Sequence, residues 1–219
     1  DEDPVLLGGW PVHRHAVRRW PACLGGRWLG HPAFWPCVSL LSFVLPLPFL
    51  LGLYPVVRFP REQIDVHVYP DHVVVEAWYV YQNPFPFPVV QSYALPLPTG
   101  PRHPLPADVW ARRLDSEDEI PLRLLWGTHR FTLAFAARET VTVYAVYRQE
   151  TPDRSAWYIL TTTQGWRRPL EYGLYHLFPH GVRIISSNHA LQAEGPDRLV
   201  FQRTDFLPTE EWHFAWEVK

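Results

Sequence analysis

Ile64-Asp65-Val66-His67-Val68-Tyr69-Pro70-Asp71-His72-Val73-Val74-Val75-Glu76-Ala77-Trp78-Tyr79-Val80-Tyr81 is the stretch on which the fold turns. Ile64, Val66 and Val68 alternate with Asp65, His67 and Tyr69, and a period of two sends successive side chains to opposite faces of a strand. Tyr69-Pro70-Asp71-His72 carries turn chemistry, because proline presets φ and aspartate hydrogen-bonds nearby backbone. Val73 to Tyr81 is β-branched or aromatic almost throughout, a composition that suits a strand packed on a core. The expectation is a hairpin, and with it a β-built domain.

The same signals continue toward the C-terminus at Val89 to Leu95, Val109 to Leu114, Leu122 to Trp126, Arg130 to Ala136, Thr140 to Arg148, Ala156 to Thr163, Leu174 to Phe178, Val182 to Ser187, Ala190 to Ala193, Leu199 to Arg203 and Trp212 to Val218. Turn residues recur at roughly the 8 to 12 residue spacing of a sandwich or barrel. Two further hairpins are expected. One runs from Val141–Gln149 into Ala156–Thr163 around Glu150-Thr151-Pro152-Asp153, and the other from Ala190–Ala193 into Leu199–Gln202 around Glu194-Gly195-Pro196-Asp197. Ala107 to Leu114 also suits a short helix. The fold class is read as mainly β, a β-sandwich-like domain over residues 58–219.

On the other side of the hairpin the chain changes character. Trp28 to Val57 contains no Asp, Glu, Lys or Arg, and about 18 to 25 apolar residues suffice to span the hydrocarbon of a bilayer as a helix. A single transmembrane α-helix is expected within residues 31–57, preceded by an N-terminal segment, residues 1–30. The apolar run is too long for a signal peptide and no Ala-x-Ala-like site follows it. Arg18-Arg19 lacks the surroundings of a twin-arginine signal. Arg14, Arg18, Arg19 and Arg27 precede the span, whereas Arg58 and Arg61 follow it beside Glu62 and Asp65. Basic residues favour the cytoplasmic side. The reading is a bacterial inner-membrane protein with a cytoplasmic N-terminus and a periplasmic β domain.

Trp20, Trp28 and Trp35 suit the headgroup zone, where amphipathic rings settle. Pro46 and Pro48 remove backbone donors within the span, and the carbonyls they free call for a hydroxyl, water or a neighbouring helix. These residues are the expected contacts with lipid and with other integral-membrane subunits.

Composition excludes other classes. With 20 basic and 22 acidic side chains, a net charge of -2 and a pI near 6.6, no long-range field draws the chain to nucleic acid. Lys219 is the only lysine, an arginine bias typical of GC-rich bacterial coding. Cys23 and Cys37 are the only cysteines, and their places before and within the apolar tract make a disulfide between them implausible.

No chemistry-bearing motif completes itself. His176 and His180 are four apart, but Pro179 and the strand pattern put them at a corner without a third metal ligand. His13-Arg14-His15 sets an arginine between its imidazoles. Ser186-Ser187-Asn188-His189 reads as a turn, and Asp115-Ser116-Glu117-Asp118-Glu119 as a solvated one lacking the glycine of a calcium loop. There is no Gly-x-Ser-x-Gly elbow, no phosphate-binding glycine loop and no haem-attachment motif. No catalytic, cofactor-binding or metal residues are assigned.

Two proline-dense connectors, Asn83-Pro84-Phe85-Pro86-Phe87-Pro88 and Leu95-Pro96-Leu97-Pro98 continuing to Pro106, hold the chain extended without donors for a ladder. Phe85 and Phe87 are candidate interface anchors or caps on the core. Among the tryptophans, Trp78 is expected in the core, while Trp157, Trp166, Trp212 and Trp216 are divided between core and surface.

The leading expectation is a non-catalytic, membrane-anchored accessory or scaffold subunit that braces the periplasmic face of a bacterial membrane complex, with a respiratory or photosynthetic assembly as the type of host. The alternative is a ectodomain that binds glycan or peptide. A hydrolase built on His176, His180 or His189 stands third.

Overall fold

Alternation becomes structure in the first hairpin. A computed structural model describes residues 55–95, 97–101 and 103–219, within the unit Pro48–Lys219. In it β1 (Arg58–Val68) returns as β2 (His72–Gln82) through a turn closed by Tyr69 N–H donating to the His72 carbonyl at 2.9 Å. Ile64, Val66 and Val68 are fully buried, while Asp65 and His67 face away from them.

The rest of the domain is built in the same way from β3 (Val89–Leu95), β4 (Ala107–Arg113), β5 (Arg123–Leu125), β6 (Thr128–Phe135), β7 (Thr140–Glu150) and β8 (Ser155–Tyr158). After a 3-10 helix, Thr161–Trp166, come β9 (Leu170–Pro179), β10 (Val182–Ser187), β11 (Gln192–Ala193), β12 (Leu199–Phe206) and β13 (Trp212–Val218). The domain is mainly β. A seven-stranded sheet has the order β11-β12-β9-β1-β2-β7-β4, and two three-stranded sheets have the orders β10-β13-β8 and β3-β6-β5. Within the large sheet β1 and β9 run parallel, and the other neighbours are antiparallel.

The two small sheets cover one face of the large one. Tyr79 on β2 meets Tyr158 on β8, hydroxyl to hydroxyl, at 2.9 Å. Tyr81 packs on Tyr93 of β3, and Tyr175 of β9 meets the edge of Trp212 on β13. Trp212 and Trp216 lie among the largest fully buried side chains. Each such aliphatic or aromatic side chain removed from water stabilises the fold by about 1.5–3 kcal/mol.

The proline-dense connectors are fastened by buried amides. Proline offers a carbonyl but no N–H, so these segments need donors from elsewhere. Asn83, fully buried, donates to the Phe87 and Ala136 carbonyls, and its own oxygen accepts from Phe85 N–H at 3.0 Å. Gln149 on β7 donates to the carbonyls of Pro98 and Pro104. A buried amide thereby ties down each connector, and Arg138 adds a bond to the Pro84 carbonyl in the first.

Three expectations are corrected. Val141–Gln149 and Ala156–Thr163 do not form a hairpin: after β7 the chain turns through Arg154 at φ 55° and changes sheets, so that β8 pairs with β13. Thr161 to Thr163 belong to the 3-10 helix, whose first turn is held by Glu211 accepting from the Leu160 and Thr161 N–H groups. Ala107 to Arg113 is an edge strand, not a helix. The hairpin around Glu194-Gly195-Pro196-Asp197 forms as expected, with β11 reduced to two residues. Residues 1–54, with Trp20, Trp28, Trp35, Pro46 and Pro48, lie outside the described residues. Among those described, no helix is long and apolar enough to cross a membrane.

Candidate functional site

Because neighbouring strands keep side chains in register, the uncovered face of the seven-stranded sheet can be read row by row. Val200 lies beside His176, His176 beside Asp65, Asp65 beside Glu76 and Glu76 beside Val146, which is beside Trp110 on the edge. The adjoining row runs Gln202, Leu174, Gln63, Trp78, Tyr144 and Arg112. Val74, Trp78, Val146, Leu174 and Phe178 are half-buried here, and Trp110 is 39% exposed. No other described sheet lies over them. Trp78 therefore belongs to this outward face and not to the core expected for it, since it stands in phase with Glu76 and out of phase with Ala77 and Tyr79.

Aromatic packing stiffens one half of the face. Tyr144 has Trp78 at 5.0 Å, Trp110 edge-on at 5.4 Å and the Arg112 guanidinium over its ring at 5.4 Å. Its hydroxyl donates to Glu76 at 2.6 Å, and burial, reinforced by that carboxylate, pushes the phenol's pKa up. A ring held on three sides keeps its geometry without losing rotamer freedom on contact.

The other half carries the histidines. His176 Nδ1 lies 2.8 Å from Asp65 Oδ1, which also accepts from Gln63. His67 Nδ1 lies 3.0 Å from His180 Nε2, so one ring must present a bare nitrogen to the other's N–H. His67 also stacks on Phe178, and Tyr69 stacks on both His180 and His72. Burial lowers the His67 pKa, against the opposing pull of Glu76 at 3.7 Å. His176 and His180 thus answer to different partners. His189 stacks on Phe201 instead, so the three histidines do not converge on one carboxylate. Among the described residues no group of three His, Cys, Asp or Glu side chains is placed to hold a metal ion.

Among the described residues, hollows flank the sheets at two places. One of about 730 Å³ sits at the β9–β12 end of the uncovered face, among Leu174, His176, Gln192, Arg198, Val200 and Gln202. The other, of about 550 Å³, lies over β8, β13 and β10, where Trp157 stacks on His213 at 6.1 Å beside His103, Ser186 and Asn188. Both volumes fall in the range of small-ligand sites. Ser187 Oγ is engaged with the His189 carbonyl and with Trp212 Nε1, and the Asn188 amide with the Glu211 carbonyl. The Ser186-Ser187-Asn188-His189 group is a structured turn beside this second hollow.

Of the other expected site residues, Phe85 is half-buried and Phe87 is 53% exposed, and the two stack on each other at 5.1 Å. In the acidic run Asp115 pairs with Arg113, which holds its carboxyl below the usual range, and Glu117 pairs with Arg112. One group escaped the sequence reading altogether. Glu62 lies on the core side of β1, only 4% exposed, between Tyr79 on β2 and Gly173 on β9. Tyr175 donates to it at 2.5 Å. Burial pushes its pKa from 4.5 up to about 7, and the tyrosine bond pulls the other way.

No family model matches the chain, and no curated protein matches it in sequence. Among solved structures it is similar to a Legionella pneumophila protein provisionally described as nutrient-binding, with a TM-score of 0.60 and 13% identity over 75% of this chain and 68% of that one. It also resembles an M1 zinc metallopeptidase from Deinococcus radiodurans, with a TM-score of 0.39 and 8% identity, spanning 73% of this chain and only 42% of the peptidase. The likeness to the Legionella protein is one of fold.

Proposed function

We propose that the chain is a bilayer-anchored, non-catalytic docking subunit of a bacterial integral-membrane complex. Its β-sandwich-like domain stands on the extracytoplasmic side and meets its partner through the uncovered face of the seven-stranded sheet. The observation that carries this reading is the composition of that face. Trp78, Trp110, Tyr144, Phe178 and Arg112 are the residue types that concentrate binding energy at protein interfaces, and Val74, Val146 and Leu174 supply apolar area between them. The uncharged tract Trp28–Val57 supports the anchor.

The test is co-purification of the tagged full chain from native membranes. Trp78→Ala and Val146→Arg are each expected to cut recovery of a membrane partner by about 30-fold, the loss of a hot spot of about 2 kcal/mol. The far-ultraviolet circular dichroism should stay unchanged. A chain that leaves native membranes as a monodisperse monomer, with no partner at any detergent concentration, overturns the proposal.

A second reading, ligand binding, is favoured by the hollow at Trp157 and His213, whose aromatic floor and Asn188 rim suit a sugar or an extended peptide. The description of the Legionella protein is in keeping with it. Under this reading Trp157→Ala abolishes binding on a glycan or peptide array while Trp78→Ala leaves it intact.

A further inference from the structure

The β5–β6 hairpin spends its most apolar residues on solvent. Leu124 is 52% exposed, Leu125 46% and Trp126 94%, and all three residues of β5 are exposed. Packing of the domain does not explain them. Trp126 and Gly127 form the turn, both in the left-handed region at φ 50° and 74°. That turn usually takes Asn-Gly, because asparagine tolerates the first position far better than a bulky ring does. A tryptophan here is held in an unfavourable backbone conformation with almost its whole surface in water.

Charge in the hairpin is equally one-sided. Arg123 and Arg130 stand opposite each other across the two strands, both exposed, and neither has a carboxylate partner among the described residues. Like charges directly opposite destabilise a strand pair. Between Glu119 and Glu139 the sequence holds three arginines and no acidic residue, in a chain whose net charge is -2. Residues held at such local cost cluster where something binds.

We infer that the Leu124-Leu125-Trp126 tip is a wedge that dips into the surface of an anionic phospholipid bilayer, with Arg123 and Arg130 on its lipid phosphates. Tryptophan and leucine settle at the boundary of headgroup and acyl chain, and guanidinium pairs with phosphate just above it. A membrane supplies both kinds of contact at once, and charge complementarity selects its anionic lipids. The inference deepens the anchored reading: the same bilayer that takes the apolar tract would take the tip and fix the tilt of the domain.

The experiment uses the full chain, with Cys23→Ser and Cys37→Ser, in vesicles of phosphatidylcholine with or without phosphatidylglycerol. A bimane label at Thr128→Cys reports the tip, one at Asp153→Cys serves as control, and doxyl-labelled lipid is the quencher. Quenching is expected at 128 and not at 153, stronger with phosphatidylglycerol. It should fall to the control level in Arg123→Glu/Arg130→Glu and in Trp126→Ser. Quenching at 128 no greater than at 153 in vesicles that carry the chain overturns the wedge and leaves the anchor standing. A tip label shielded from aqueous iodide yet untouched by doxyl lipid overturns it in favour of a protein contact. A chain that floats with neither kind of vesicle removes anchor and wedge together.

Discussion

Glu62→Gln is expected to make the domain more stable at a pH of about 8, by about 3 kcal/mol, and to flatten its stability between about pH 5 and 8. The carboxyl is buried, and its pKa in the folded state is about 7 against an ordinary 4.5. The folded chain thus binds this proton more tightly than the unfolded chain does. Below about pH 4.5 both states are protonated and the contribution is fully present. As pH rises through 7 the folded state must either bury a charge or unfold, and the contribution is lost. Glutamine keeps an oxygen for the Tyr175 hydroxyl and has nothing to ionise. Urea titrations of both proteins across this range provide the measurement, and a wild-type curve that is level or rises with pH contradicts the assignment.

Gly173→Ala attacks the same place from the neighbouring strand. The Tyr175 ring folds back over Gly173, so that an added Cβ would sit 2.6 Å from its hydroxyl oxygen and 2.8 Å from a ring carbon. The ring has no room to withdraw, being fully buried and stacked on Phe201 at 4.4 Å with Trp212 against its edge. Accommodating the methyl breaks the bond to Glu62 and strains the core. The expected loss is about 3 kcal/mol, the overpacking cost together with a stranded buried acceptor. It should appear as a lower denaturant midpoint with the slope kept. A Gly173→Ala/Tyr175→Phe double variant should lose less than the two single variants added together, because both break the one bond to Glu62. Strict additivity would place the damage elsewhere.

The β1–β2 hairpin was legible because polar and apolar residues alternate from Ile64 to Val68, and Tyr69-Pro70-Asp71-His72 admits little but a turn. Glu62 escaped although the signal was there: it stands in phase with Ile64, Val66 and Val68, but its charge invited a solvent position. The exchange of sheets after β7 was hidden because Glu150-Thr151-Pro152-Asp153 specifies a reversal of direction and not a pairing partner. Trp78 was misassigned for a related reason. From Val73 to Tyr81 both faces are β-branched or aromatic, and Glu76 alone marks which is uncovered. The wide aromatic face follows from strand order, bringing Trp110, Tyr144, Trp78 and Phe178 together from four distant segments. Strand order depends on long-range packing that periodicity does not encode.

The strand at the heart of the large sheet is the first of the described strands to be made. β1 gains β2 at once, through a four-residue turn, but its parallel neighbour arrives much later: Asp65 waits for His176, 111 positions downstream. Until β9 is synthesised, one flank of β1 has bare backbone donors and acceptors beside Ile64, Val66 and Val68. The ribosome therefore delivers an open template for mispairing, and contacts so far apart in sequence make assembly slow. Newborn chains of this protein should depend on holding chaperones through the synthesis of β3 to β8.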